Sequence, residues 1–167
     1  MLMRHAKSDW HSHTADIDRP LNERGRQDAL RMGGYLEQQN LVPDKMIVSS
    51  AQRTQETASL LLTNLPLDEE NVIVDEALYL ADSETLLETI ELYASDNQRL
   101  LILAHNPGMD YLVSYLASTP APLSDSGKLM TTCAAAVFSI DSLDTLKKSA
   151  QAELKSLIRP REISDLK

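Results

Sequence analysis

Short runs of unbroken apolar residues alternate along this chain with longer segments in which apolar residues recur every three or four positions. Continuous apolar runs predict buried strands, and the 3.6-residue recurrence predicts amphipathic helices. Strands are expected at Leu2–His5, Lys45–Ser49, Val72–Val74, Leu100–Ala104 and Ala135–Ile140, with Leu100–Ala104 the most apolar and so the central one. A helix opening at Asn22 or Glu23 and running to about Gln39 turns Ala29, Met32, Tyr35 and Leu36 inward. A second, from Gln52 to Asn64, turns Ala58, Leu61 and Leu62 inward and is stopped by Pro66. A third runs from a Ser83 cap to Ala94, with Glu84 placed to suit the helix dipole. A fourth has Asn106 as its cap and Pro107 at its first position, and reaches Ala117. Polar loops fill Ala6–Leu21 and Thr119–Lys128, and Leu143–Ile158 reads as helical by composition. Strands alternating with helices give an α/β class with a mainly parallel sheet.

Composition narrows the class further. With 167 residues and no repeat or linker, the chain is expected to be a single domain over residues 1–167 with a proper core. It has one phenylalanine and one tryptophan, so that core must be built from Leu, Ile, Val, Ala and Met. A net charge of -9 argues against a nucleic-acid partner, which requires a basic face. It also means that any attraction for an anion must be local. Cys133 is the single cysteine and cannot form an intrachain disulfide, which fits a reducing compartment. No apolar run approaches the roughly 18 residues of a membrane span, and no leader pattern stands at the start. A cytoplasmic location without membrane attachment is the expectation.

The chemistry collects at strand ends. The first strand runs into Arg4-His5, the strong strand Leu100–Ala104 runs into His105, and Arg53 follows the strand Lys45–Ser49. In open α/β sheets, ligands bind outside the C-terminal strand ends. Two histidines and two arginines delivered to that edge suit a phosphoryl group, because a guanidinium donates paired hydrogen bonds and keeps its charge.

Four stretches occur in order: Arg4-His5-Ala6-Lys7-Ser8, Asp18-Arg19-Pro20-Leu21-Asn22-Glu23-Arg24-Gly25, Val48 to Thr57 around Arg53, and His105-Asn106-Pro107-Gly108. Together they resemble the histidine phosphatase superfamily, the phosphoglycerate-mutase-like proteins, and most nearly its SixA-like phosphohistidine phosphatase branch. The resemblance runs from Leu2 to about Pro160. Most of the superfamily has glycine where this chain has Ala6, a departure that the SixA-like branch shares. The first strand has only about three residues before Arg4, fewer than is usual in the family, so either this strand is short or the chain starts upstream.

The resemblance implies a three-layer α/β/α sandwich, phosphoglycerate-mutase-like, with a short helix and a final strand near Ala152–Ile158 in place of the compositional helix. It implies a phosphatase without cofactor or metal, in which Arg4, Arg53 and His105 hold the phosphoryl group. His5 attacks it, with its second ring nitrogen bonded to an acceptor, expected to be backbone. The implied substrate is a phosphorylated protein histidine. The alternatives are a small phosphorylated substrate in the same pocket or a phosphate-binding regulatory module without turnover. Glu76, after the short third strand, is the candidate for the general acid that many relatives have and the SixA-like branch lacks. Lys7, Ser8 and Trp10 are placed to edge the pocket, while Asp18, Arg19 and Arg24 are expected to brace the loop through ion pairs. A rival chemistry would bind zinc through His5, His11 and His13. Oligomeric state is not legible in the sequence.

Overall fold

A computed structural model describes residues 1–94, 99–147 and 149–163. The single domain expected over residues 1–167 therefore includes stretches outside the described residues.

Six strands form one sheet: β1 (Leu2–Arg4), β2 (Lys45–Ser49), β3 (Val72–Asp75), β4 (Leu100–Ala104), β5 (Ala135–Ser139) and β6 (Glu153–Ile158). Their spatial order is β3-β2-β4-β1-β5-β6. The first four in that order are parallel, β5 runs antiparallel to β1, and β6 runs antiparallel to β5 at the edge. β4 sits between β2 and β1, and all five of its residues are buried, as its unbroken apolar run requires.

The helices are α1 (Glu23–Gln38), α2 (Gln52–Leu62), α3 (Ser83–Ala94) and α4 (Gly108–Leu116). Alternation along the strands divides the core into two layers. Leu2, Ile47, Ile102 and Ala104 face the cluster formed with Leu86 and Ile90 of α3 and Leu112 and Leu116 of α4. Met3, Met46, Val48, Leu101 and Leu103 face Ala29, Met32 and Leu36 of α1 and Ala58 and Leu61 of α2. The result is the expected three-layer α/β/α sandwich with a mainly parallel sheet.

Some local expectations change. Leu62 is only half-buried, so α2 presents a narrower apolar stripe than its composition implied. The cap of α3 is Asp82, not Ser83: its carboxylate accepts from the Thr85 N–H at 2.9 Å. Asn106 does not cap α4, because its amide instead donates to the Met130 carbonyl at 3.2 Å, and Pro107 takes the cap position after a cis peptide bond. Leu143–Lys147 is a short 3-10 turn and β6 follows, so the resemblance read this region correctly and composition did not.

Candidate active site

The C-terminal ends of β1, β2 and β4 meet at one edge of the sheet. β1 is short, but its end is held from both sides. The His5 N–H donates to the Ala104 carbonyl at 3.1 Å, and the His5 carbonyl accepts from the Cys133 N–H at 3.0 Å. Residue 5 thus cannot move without disturbing β4 or the turn before β5.

His5 is 7% exposed. Its Nδ1 lies 2.7 Å from the Ala6 carbonyl. A carbonyl only accepts, so Nδ1 carries the proton and Nε2 presents a lone pair. Burial pushes the His5 pKa well below the ordinary imidazole value, and the neighbouring His105, Arg53 and Arg4 push it further. The ring is therefore neutral at physiological pH. Thr57, one turn along α2 from Arg53, accepts from the Ala6 N–H at 3.1 Å and donates to the Arg53 carbonyl at 2.6 Å. It ties the loop after His5 to the helix that carries Arg53.

The His105 ring stands 5.1 Å from that of His5, centroid to centroid, and the residue is 2% exposed. Its Nε2 lies 2.7 Å from Ser49 Oγ at the end of β2. Ser49 Oγ also receives the Ala51 N–H at 3.4 Å. An N–H can only donate, so the hydroxyl proton is free to point at His105 Nε2. Burial, followed by the charge of Arg53, lowers the His105 pKa to about 3, and the ring holds a single proton. In the tautomer in which Nε2 accepts from Ser49, that proton sits on Nδ1. His105 Nδ1 is buried and has no hydrogen-bond partner.

Two further donors share that condition: Arg4 Nε and Arg53 Nε are buried and unpartnered. Arg4 is otherwise anchored through Nη1 to the Met130 carbonyl at 2.8 Å. Arg53 is 2% exposed and gives its terminal nitrogens to Asp16, at 2.6 Å to the carbonyl and 3.0 Å to the carboxylate. Buried N–H groups left unpaired in a native structure are uncommon. Arg4, Arg53 and His105, which flank the neutral His5, thus each keep one buried nitrogen without a partner.

The structure brings Arg4, His5, Arg53 and His105 together, as their positions at strand ends implied. Glu76 is exposed in the 3-10 turn Glu76–Leu78. The residue of this segment that reaches the site is Tyr79. Its ring meets that of His105 edge-on at 5.8 Å, and its hydroxyl donates to Asp16 Oδ2 at 2.8 Å. Gly108 makes that approach possible, since a Cβ there would lie 2.1 Å from the Ala81 carbonyl oxygen. Gly25 does the same for the first loop, where a Cβ would lie 2.1 Å from the Lys7 carbonyl oxygen.

The loop residues sort differently from expectation. Ser8 is buried and accepts from Arg19, so its hydroxyl is engaged within the loop. Arg19 braces the loop as expected, pairing with Asp16 at 2.7 Å and lying 3.9 Å over the Trp10 ring. Arg24 instead pairs with Asp28 along α1, and Asp18 is exposed. Trp10 is 70% exposed and does not fill the core. His11 and His13 are exposed, and the described residues contain no group of three His, Cys, Asp or Glu placed to hold a metal ion. The rival zinc site of His5, His11 and His13 is thus not assembled among the described residues. Asp16, Ser49, Thr57 and Tyr79 were missed. Ser49 at a strand end and Thr57 four residues after Arg53 had positional signals, whereas Asp16 and Tyr79 meet only through folding.

Comparison with known proteins agrees with this geometry. Residues 1–79 match the model of the histidine phosphatase superfamily (branch 1). An uncharacterized protein of Mycobacterium tuberculosis (strain CDC 1551 / Oshkosh), MT1313, is 34% identical over 116 residues, covering 70% of each chain. Another, ML1117 of Mycobacterium leprae (strain TN), is 36% identical over 109 residues, which span 63% of this chain and 65% of that protein. The structure of the protein histidine phosphatase SixA complexed with tungstate superposes with a TM-score of 0.78 over 96% of both chains at 22% identity, a likeness of fold. No helix among the described residues is long and apolar enough to cross a membrane. On the family match and the mycobacterial likeness, the chain belongs to the histidine phosphatase superfamily, branch 1.

Proposed function

We propose that this protein is a metal-independent phosphatase acting through a phosphohistidine enzyme intermediate, with protein phosphohistidine as its substrate class. The observation that carries the reading is the set of unpartnered buried donors, Arg4 Nε, Arg53 Nε and His105 Nδ1, beside a neutral His5 whose Nδ1 is committed to the Ala6 carbonyl. His5 Nε2 attacks phosphorus. A P–N bond forms to His5 as the bond from phosphorus to the leaving group breaks, and the leaving group departs with the electron pair. Water then attacks the same phosphorus, breaking the P–N bond and releasing inorganic phosphate and neutral His5. The two arginines and His105 hold the phosphoryl oxygens, a preorganised arrangement that needs no rearrangement as charge develops. The fold likeness to SixA, a protein histidine phosphatase, supports the substrate class. So does the exposed position of Glu76, which leaves the leaving group without a carboxylic acid from that segment. An imidazole leaves readily because its conjugate acid has a pKa of about 6.5. A cytoplasmic setting belongs to the same reading and rests on the lone, buried Cys133.

The test is to quench the enzyme briefly with labelled substrate. Label is expected on His5, labile to acid and stable to base, and His5→Ala should lose trapping and turnover together. Activity should survive chelation, and vanadate should inhibit. Phosphohistidine and aryl phosphates should be preferred over phosphoserine by roughly a hundred- to ten-thousandfold, the usual worth of a general acid. Full activity in His5→Ala overturns the mechanism. Equal turnover of alkyl phosphates, with Glu76→Gln reducing that rate alone, replaces the substrate class with small phosphomonoesters.

A further inference from the structure

Asp16 closes a circuit of contacts that the phosphoryl-binding residues do not by themselves require. It lies on the loop that follows the nucleophile. Its Oδ1 accepts from Arg19 Nη2 at 2.7 Å, and its Oδ2 accepts from Arg53 Nη2 at 3.0 Å and from the Tyr79 hydroxyl at 2.8 Å. The backbone is pinned as well: the Asp16 carbonyl accepts from Arg53 Nη1 at 2.6 Å, and the Ile17 carbonyl accepts from the Gln52 N–H at 2.8 Å, at the start of α2. This carboxylate is held from three directions and has little freedom to swing away.

Its position relative to solvent matters. His5, His105 and Arg53 are buried, but the Asp16 side chain is 46% exposed. Tyr79 runs from the His105 ring at one end to Asp16 at the other. Asp16 is thus the half-exposed member of this contact set, and on the phosphatase reading the body of a substrate lies on the Asp16 side while its phosphoryl group is inside. Burial alone would raise its pKa, but hydrogen bonds from Tyr79 and Arg19 and the charge of Arg53 bring it down to about 2. It is thus a permanent negative charge and has no proton to give at neutral pH.

We infer that Asp16 is a specificity-determining residue, a fixed anion at the pocket mouth that favours substrates neutral or cationic beside the phosphoryl group and rejects those with a second anion there. The inference rests on the phosphatase reading. The arginines draw in one phosphoryl group, and Asp16 offsets their charge at the rim, so a carboxylate or second phosphate on the substrate meets repulsion there. A phosphorylated imidazole, whose ring is neutral or protonated, meets none. Two unit charges about 6 Å apart in a half-exposed site interact strongly enough to change a rate about tenfold.

The test compares kcat/KM for phenyl phosphate, 4-carboxyphenyl phosphate and 4-(aminomethyl)phenyl phosphate. In each variant the rates are referred to wild type, so that intrinsic reactivity cancels. Asp16→Asn keeps an oxygen acceptor for Arg53 and Tyr79 but removes the charge. It should raise the carboxyphenyl-to-phenyl ratio about fivefold to tenfold and lower the aminomethyl-to-phenyl ratio. Asp16→Glu should keep the wild-type order. In the unmodified enzyme, which no folding defect can confound, 0.5 M salt should compress both ratios toward those of the Asn variant. Ratios that stay within twofold in Asp16→Asn, or salt-insensitive ratios in the wild type, overturn the inference and leave Asp16 a holder of Arg53. A wild-type enzyme inert toward phenyl phosphate instead overturns the phosphatase reading on which the inference stands.

Discussion

Ser49 offers a sharp test of how His105 works. On the proposed reading its hydroxyl donates to His105 Nε2 across 2.7 Å and so places the single ring proton on Nδ1, the buried atom without a partner. Ser49→Ala removes that donor and makes no steric demand. Two costs follow. The first is structural: Nε2 is left buried and unsatisfied, a loss of about 1–3 kcal/mol in stability. The second is catalytic. Without Ser49 the two neutral tautomers approach equal population, and on the proposed mechanism the form with the proton on Nε2 turns a lone pair toward the phosphoryl oxygens. Complete loss of a preorganised donor is typically worth about 3–4 kcal/mol of barrier. A donor that is still present part of the time should cost about 1–2 kcal/mol, or roughly fivefold to thirtyfold in kcat. Ser49→Thr keeps the hydroxyl and should restore most of the rate. The assays are steady-state turnover of an aryl phosphate and nitrogen NMR of the labelled imidazole, which reports which ring nitrogen is protonated. An Ala variant with wild-type kcat and an unchanged His105 tautomer would refute the reasoning, since a hydroxyl serving only to fill space would move neither.

Two further outcomes are expected. Gly108→Ala forces a Cβ to within 2.1 Å of the Ala81 carbonyl oxygen, so α4 and the Tyr79 segment must separate; thermal denaturation should show a loss of about 1–3 kcal/mol, typical of overpacking, together with reduced turnover as Tyr79 leaves His105. Stability should also fall in acid, because the folded pKa of His105, about 3, lies below the unfolded value of 6.5, and the folded pKa of His5 is lowered as well. The unfolded chain then binds more protons, so this stability is fully present above pH 6.5 and is lost as the pH falls toward 3, at roughly 1.4 kcal/mol per pH unit for each histidine that stays neutral. Urea midpoints that do not change between pH 7 and pH 4.5 would contradict the buried neutral pair.

Much of this molecule was legible before folding was considered, and the reason is local physics. β4 keeps its expected bounds because its unbroken apolar run is buried as a central strand, and β2 keeps its own around the apolar core Met46–Val48. α1 begins after Asn22 because a side-chain oxygen there satisfies the Gly25 N–H at 2.8 Å. That Arg4, His5, Arg53 and His105 come together was legible because each lies at or just after a strand end, and parallel strands deliver their C-terminal ends to one edge. Where composition misled, at Leu143–Ile158, residues of helical preference sit at the side of the sheet, and pairing with β5 outweighs that preference.

What only the tertiary structure decided is the state of those residues and the company they keep. No spacing rule links Asp16 to Tyr79, which are 63 positions apart, or Ser49 to His105, which are 56 apart. These pairs exist because the sheet order sets β2 beside β4, and because Gly108 lets α4 press close to the segment that carries Tyr79. The same holds for protonation. A histidine in an exposed peptide titrates near 6.5, and its sequence neighbours do little to change that. His5 and His105 stay neutral because folding buries them among arginines and gives each ring one hydrogen-bond partner. Local sequence can place a residue at a strand end, but desolvation and hydrogen-bond direction depend on every element that packs around it.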